Sequence, residues 1–168
     1  MQILSTVFGW SGTAALVLSF QCKRERRLFL CQMLSGILFV LHYGFAGDYT
    51  GMCMDGMCFV RSLMMISGKP VLTGKGATAA LCAVIVALCV LTWEGIFSIF
   101  PALALLASTV AVFSANGKKI RIAQFFITSP SWMTYNIHVS SWPGVVCEAL
   151  DMGSVLVYWI RTRWEKHR

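Results

Sequence analysis

Residues 51–61 read GMCMDGMCFVR and place an aspartate, two cysteines and three methionines in an otherwise apolar stretch. Methionine and thiolate ligands would suit copper(I), whereas a carboxylate in an apolar helix would suit a buried polar site. Cys53 and Cys58 are five positions apart, so on a helix they face different directions and do not form the Cys-x2-Cys element of a zinc site. Methionine and cysteine are also ordinary packing residues. We therefore expect no metal site and no cofactor, which leaves Asp55 as the residue of interest.

A second carboxylate, Glu148, lies in an apolar stretch near the other end of the chain. Each acid is about seven residues, or roughly 10 Å, into its stretch. A charge at the centre of a membrane helix costs about 2.5–3.5 kcal/mol, so such residues usually face a bundle interior or a water-filled cavity. Asp151 follows Glu148 by one turn, on the same helical face. The matched depths predict a shared central cavity, although each acid could instead be a structural hydrogen-bond donor between helices.

Polar side chains recur at helical spacing on two further apolar stretches. One stripe contains Gln32, Ser35, Phe39 and His42, and the other contains Gln124, Thr128, Ser131, Tyr135 and His138. Such stripes can line a polar pathway or join helices by hydrogen bonds. We favour the pathway, and the predicted substrate-binding residues are Asp55, Glu148, Gln32, Gln124, Tyr43, Tyr135, Asn136 and Trp132.

Arg61 lies six residues after Asp55, at the end of the same apolar stretch. We favour a position in which its long side chain extends to the lipid headgroups. The alternative is an ion pair with a carboxylate that closes a gate, and Arg61 and Asp151 are the candidates for this role.

The composition is typical of a membrane protein. Of the 168 residues, 57% are hydrophobic and only 12% are charged, against about 25% charged in soluble domains; the mean hydropathy is +0.70. Each apolar run approaches the roughly 20 residues that cross a bilayer as a helix. We predict an all-α membrane protein of seven spans, over residues 2–21, 28–47, 49–67, 77–93, 95–115, 122–142 and 144–161.

The basic residues predict the orientation of these spans. They fall in alternate loops, at 23–27, 61–75, 118–121 and 161–168, and the remaining loops contain no Lys or Arg. The positive-inside rule places the basic loops in the cytoplasm, with the N-terminus outside and the C-terminus inside. The net charge of +7 suits anionic lipid headgroups, and no basic surface beyond short loops is available for nucleic acid.

The two ends of the chain contain a weak internal repeat. At a shift of 92 positions, Gln32 aligns with Gln124 and Tyr43 with Tyr135; at 93, Asp55 aligns with Glu148. A three-helix unit would be inverted on direct duplication, and a single intervening helix restores its orientation. We predict one membrane domain, 1–168, with three-helix bundles at 1–67 and 94–168 and a linker with an inverting helix at 68–93, and such parallel repeats bind substrate between the halves.

Signatures of enzymes are absent from the sequence. It has no Gly-rich phosphate loop after a strand and no nucleophile elbow. The loops are too short for a soluble catalytic domain. We therefore expect that the protein is not an enzyme.

Several stretches form a recognisable set: SFQCKRERRLFLCQMLSGILFVLHYGFAGDYTG, the pair Asp55 and Arg61, NIH at 136–138, PGVVCEALDMG and IRTR. Together they resemble the YgjV family of bacterial inner-membrane proteins. That family is grouped with the MtN3-like, PQ-loop superfamily, which includes SWEET sugar transporters, PnuC vitamin transporters and the KDEL receptor. The resemblance implies seven helices in a 3+1+3 arrangement, with substrate-lining residues on the third and seventh helices at Asp55 and Glu148. The chain lacks the SWEET prolines in its first two spans.

These observations favour a small-molecule carrier of the bacterial inner membrane that works by alternating access around a site between the bundles. The other class of function that fits is a non-transporting membrane receptor or structural partner, since the KDEL receptor has the fold that the resemblance implies. The expected partners are the lipid bilayer and an unknown small molecule.

Overall fold

The computed structural model describes residues 2–20 and 25–166, and the side chains of 2–18 and 30–164. The helices are α1 (Gln2–Phe20), α2 (Glu25–Ala46), α3 (Tyr49–Ser67), α4 (Pro70–Thr73), α5 (Lys75–Leu91), α6 (Ile99–Phe113), α7 (Gly117–Ala123), α8 (Ser129–His138) and α9 (Trp142–Lys166). A 3-10 turn (Ile96–Ser98) precedes α6, and a π-helical turn (Gln124–Thr128) joins α7 to α8. The predicted basic positions Lys23, Arg24 and Arg168 lie outside the described residues.

The predicted all-helical fold is confirmed over the described residues, which contain no strand. Each predicted span corresponds to one long helical segment, and the sixth contains the π turn. Two segments, Ile96–Phe113 and Trp142–Trp164, are long and apolar enough to cross a membrane, and Gln2–Leu18, Leu30–Ala46 and Lys75–Leu91 are shorter apolar helices. The seven-span 3+1+3 arrangement therefore stays a prediction.

Local signals in the sequence define where several helices begin and end. Asp48 caps α3, because its Oδ1 accepts a hydrogen bond from the Gly51 amide at 2.7 Å. Asn116 caps α7 in the same way, through the amides of Lys118 and Lys119. Gly68 ends α3 at a φ of +62°, a left-handed conformation that favours glycine.

The distribution of polar and apolar side chains suits lipid surroundings. Large apolar side chains are exposed on the outside, among them Ile3, Val71 and Leu91 at 82%, 84% and 79%. Small polar side chains are buried instead, including Ser5, Thr13, Ser35, Thr50, Thr109, Ser129 and Ser131. Buried hydroxyls are typical of helix packing in a bilayer, where apolar burial alone does not drive association.

The packing of the helices follows the predicted repeat. α1 packs along α2, and α2 against α3; in the second half α6 packs against α8, and α8 against α9. Between the halves, α1 packs against α9 and α3 packs against α6. Under the predicted repeat, which aligns α1 with α6 and α3 with α9, these two contacts would be equivalent. α5 packs against both α3 and α6.

Candidate functional site

A cavity of about 240 Å³ lies between the two halves, and equivalent positions of the repeat line it. At a shift of 92, the lining pairs are Leu16 with Ser108, Gln32 with Gln124, and Gly36 with Thr128. At a shift of 93, they are Asp55 with Glu148 and Cys58 with Asp151. The two halves therefore contribute matching helix faces to one cavity.

Most of the residues predicted to bind substrate or to gate line this cavity. They are Asp55, Glu148, Gln32, Gln124, Tyr43, Asn136, Trp132, Arg61 and Asp151. Tyr135 does not line it, although it is buried beside it and only 2% exposed. Their roles in binding or gating stay predictions.

Glu148 lines this cavity and has one oxygen without a hydrogen-bond partner. Its Oε2 is buried and has no hydrogen-bond partner. The neighbouring Asp151 is paired, because the Gln124 Nε2 donates to its Oδ2 at 3.2 Å. The same Gln124 nitrogen lies 3.0 Å from the Ser129 Oγ. Asp151 is thus bonded through its Oδ2, while the Oε2 of Glu148 has no donor.

Gln124 takes its position from the π-helical turn that begins with it. Pro130 follows this turn and has no amide hydrogen to donate to a carbonyl one turn earlier. The Ser129 amide donates to the Gln124 carbonyl, which closes the wider turn. Single π turns inside helices frequently occur at functional sites.

Arg61 points into the cavity and not to the headgroups, which corrects the favoured prediction for its side chain. Its Nη1 donates to the Ser108 Oγ at 2.5 Å and lies 3.4 Å from the Thr109 Oγ1. Both hydroxyls belong to α6, whose packing against α3 places them within reach. The partners of Nη1 are therefore hydroxyls and not the carboxylate of the alternative prediction.

Aromatic rings close the cavity at the end where Asp48, Glu94 and Ser141 lie, which we name the Asp48 end. Tyr43 stacks on Trp132 with ring centroids 6.3 Å apart, and Phe39 lies 6.2 Å from Tyr43. The Tyr43 hydroxyl donates to the Asn136 Oδ1 at 2.5 Å. A wider recess of about 790 Å³, lined by Trp10, Asp48 and Glu94 among others, lies beyond Tyr43. Tyr43 lines both spaces and separates them.

A network of buried bonds joins the two halves at the Asp48 end. Tyr135 donates to the Asp48 Oδ1. The His42 Nε2 lies 2.8 Å from the Ser141 Oγ, and its Nδ1 lies 2.9 Å from the Ser5 Oγ. The Thr13 hydroxyl donates to the Pro143 carbonyl at 3.0 Å. Every one of these bonds except that of His42 to Ser5 joins one half to the other.

Two of these residues, Asp48 and Ser141, were missed as functional candidates. They are equivalent at a shift of 93 and immediately precede α3 and α9, in DYTG and SWPG. An alignment of these two tetrapeptides would have identified Asp48 and Ser141 from the sequence. The Asp48 Oδ2 is buried without a partner. Burial raises the pKa of this loop carboxyl, and hydrogen bonds from Tyr135 and from the Gly51 amide oppose the rise.

The shared glycine of these tetrapeptides allows neighbouring helices within each half to approach closely, α3 to α2 and α9 to α8. A Cβ atom added at Gly51 would lie 2.8 Å from the Tyr43 Cδ1. A Cβ atom added at Gly144 would lie 2.6 Å from the side-chain amide of Asn136. Glycine at these two positions therefore gives Tyr43 and Asn136 the room in which they bond.

The opposite end of the cavity, where Lys118, Arg121 and Arg163 lie, is named the basic end. Gln124, Asp151, Arg61 and Ser62 line the cavity there. Within the described part of the chain, no three His, Cys, Asp or Glu side chains form a group that could hold a metal ion.

A family model described as a bacterial inner membrane protein, Imp-YgjV, matches residues 3–166. No curated protein and no solved structure matched the chain. The family match supports an inner membrane location, and it names no substrate.

Proposed function

The chain belongs to the Imp-YgjV family of bacterial inner membrane proteins, and from this premise we propose that it transports a small molecule by alternating access. The observation that carries the proposal is the cavity between the halves, lined by repeat-equivalent residues that include Asp55 and Glu148. Transporters made of parallel repeats bind their substrates at the interface between the repeats.

The proposed topology has seven spans in a 3+1+3 arrangement, as in the PQ-loop and SWEET proteins. The basic end is cytoplasmic under the positive-inside rule, which puts the N-terminus outside. In this orientation the described conformation is closed to the outside by Tyr43 and its bond to Asn136. The substrate would leave or enter through the basic end.

In the proposed transport step, the Asp48 end opens and the basic end closes. Opening the Asp48 end requires the Tyr43–Asn136 and Tyr135–Asp48 bonds to break. Closing the basic end would bring the two halves together around Arg61 and Asp151. An ion pair between these two side chains is the proposed inner gate of the outward-facing state.

Thiol labelling of the native Cys58 tests the direction of access, because Cys58 lines the cavity. A chain that retains only this cysteine would be exposed to a membrane-impermeant maleimide in inside-out vesicles and in right-side-out cells. We expect labelling in the vesicles and little in the cells. A chain with Tyr43→Ala should gain labelling in cells. Equal labelling of the parent chain from both sides would overturn the proposed orientation of access.

Transport is tested by whether a compound accumulates inside liposomes that contain the chain and not inside liposomes that contain a variant. Proteoliposomes containing the chain, or its Asp55→Asn/Glu148→Gln variant, would be incubated with a mixture of amines, sugars, vitamins and nucleosides and their contents identified by mass spectrometry. We expect at least one compound to enter with the parent chain and not with the variant. A compound that binds the chain without accumulating would indicate a receptor.

A further inference from the structure

We propose that the central cavity selects a small organic cation with an ammonium group at Glu148 and a flat or apolar part against the aromatic rings. This inference rests on the proposed function for its role in transport. The selection of charge is a property of binding and can be measured without transport.

The acidic and basic side chains that line the cavity favour a cation. Three carboxylates, Asp55, Glu148 and Asp151, line it together with one guanidinium. The guanidinium of Arg61 is engaged by the hydroxyls of Ser108 and Thr109. An anion would meet three acidic side chains and one cationic side chain, whose Nη1 is already engaged.

Glu148 is the acid in this cavity with one oxygen that lacks a hydrogen-bond partner. Its buried Oε2 accepts no hydrogen bond, whereas the Asp151 Oδ2 accepts one from Gln124. A buried carboxylate oxygen without a donor is costly. An ammonium group supplies up to three hydrogen-bond donors for this oxygen and a positive charge that a carboxylate attracts.

The aromatic rings indicate the rest of the ligand. Trp132, Tyr43 and Phe39 line the same cavity towards the Asp48 end. Tyr43 and Trp132 are stacked with an interplanar angle of 20°. Their faces can attract a cation or pack against a flat apolar group.

The volume limits the size of the ligand and argues for an organic ion. Benzene, with six non-hydrogen atoms, occupies a cavity of about 150 Å³, so the 240 Å³ here suits about ten such atoms at the same density. A bare metal ion would need several clustered ligands. Among the described side chains, the acids and cysteines form no such group.

Three probes that differ mainly in charge test this inference. Phenethylammonium is the cation, 2-phenylethanol is its neutral counterpart, and phenylacetate is an anion of similar size. Each would be titrated to millimolar concentration against the detergent-purified full-length chain at neutral pH, with thermal stability as the readout. A ligand that binds only the folded state raises the melting temperature.

We expect phenethylammonium to raise the melting temperature and to bind at least about tenfold more tightly than either counterpart. Glu148→Gln should lose at least about tenfold in affinity for the cation. The matched control is Glu94→Gln, since Glu94 is exposed in the wider recess beyond Tyr43. This variant should bind the cation as the parent chain does. Because the three probes are compared on the parent chain alone, that comparison tests the inference even if a variant folds poorly.

The inference is overturned if no probe stabilises the chain, if phenylacetate or 2-phenylethanol binds as tightly as the cation, or if Glu148→Gln keeps full affinity. These outcomes are separate from the failure of the proposed function. Selective binding of the cation without accumulation in liposomes would reject transport and keep the cation site. Accumulation of a sugar or an anion would keep transport and reject the cation site.

Discussion

The two ends of the central cavity are held by different kinds of contact. At the Asp48 end, buried aromatic side chains bond directly between the halves, Tyr43 to Asn136 and Tyr135 to Asp48. At the basic end, the long side chains of Arg61 and Gln124 make the hydrogen bonds. Long side chains can exchange partners while the helices remain packed, whereas the stacked rings cannot move without disturbing their neighbours. We infer that the Asp48 end is the more strongly closed of the two.

The largest effect is expected from a methyl group placed between α8 and α9 at the Asp48 end. Gly144→Ala puts a Cβ 2.6 Å from Asn136, which is buried and bonded to Tyr43, so neither side can yield freely. We expect a loss of about 1–3 kcal/mol of stability, measured as a lower melting temperature. Gly153→Ala on the same helix is the matched control, because nothing lies within 4 Å of its added Cβ.

The comparison can be repeated on α3 with Gly51→Ala and Gly56→Ala. The Cβ added in Gly51→Ala would meet Tyr43 and Asp48, whereas nothing lies within 4 Å of the Cβ added in Gly56→Ala. The control substitutions should leave stability unchanged or slightly higher, since alanine favours a helix over glycine by about 1 kcal/mol. Equal melting temperatures within each pair would contradict the close packing of Gly51 on Tyr43 and of Gly144 on Asn136.

Removal of one hydroxyl from the Asp48 end is expected to have the next largest effect. Tyr43→Phe leaves the buried Asn136 Oδ1 without its donor, at a cost of about 1–3 kcal/mol. Tyr158→Phe is the control, because Tyr158 is 42% exposed and keeps the ring that faces Arg121. Melting curves of the two variants should differ; if Tyr158→Phe is the less stable, Tyr43 does not secure this end.

A smaller loss is expected from the basic end. Arg61→Lys keeps the positive charge but replaces the forked guanidinium that reaches Ser108 and Thr109. We expect a loss of about 0.5–1.5 kcal/mol, less than for Tyr43→Phe. A loss larger than that of Tyr43→Phe would reverse the proposed order of the two ends.

The smallest effect concerns the pH dependence of the Asp48 end. Since burial raises the pKa of Asp48, the folded chain holds this proton more tightly than the unfolded chain does. Its contribution to stability is complete below the unfolded value of about 3.9 and is lost as the pH rises through the folded pKa. The rise in the pKa of Asp48 is partly offset by Tyr135, His42 and His138, because they favour the charged form of this carboxyl.

Asp48→Asn should flatten this acid-range decline, because asparagine keeps the helix cap but does not titrate. Melting temperatures measured across the acid range would show the difference from the parent chain. A decline of the same steepness in the variant would assign it to other groups.

Much of the cavity could be predicted from the sequence, because carboxylates and amides are conspicuous in apolar stretches. Asp55, Glu148 and the two glutamines were found in this way. The bonds between the halves at the Asp48 end could not be predicted, because they join residues 87–130 positions apart and depend on how the halves dock. The direction of Arg61 also depended on docking, since only the packing of α3 on α6 brings Ser108 and Thr109 within its reach.

The most direct test of alternating access is a pair of distances across the halves, measured by pulsed electron paramagnetic resonance on spin-labelled protein in nanodiscs. Tyr49 and Trp142 are equivalent exposed positions at the Asp48 end, and Leu63 and Leu156 are equivalent exposed positions nearer the basic end. With Tyr43→Phe, we expect a new population with a longer Tyr49–Trp142 distance and a shorter Leu63–Leu156 distance. Distances that stay unchanged, or that lengthen at both ends together, would contradict alternating access.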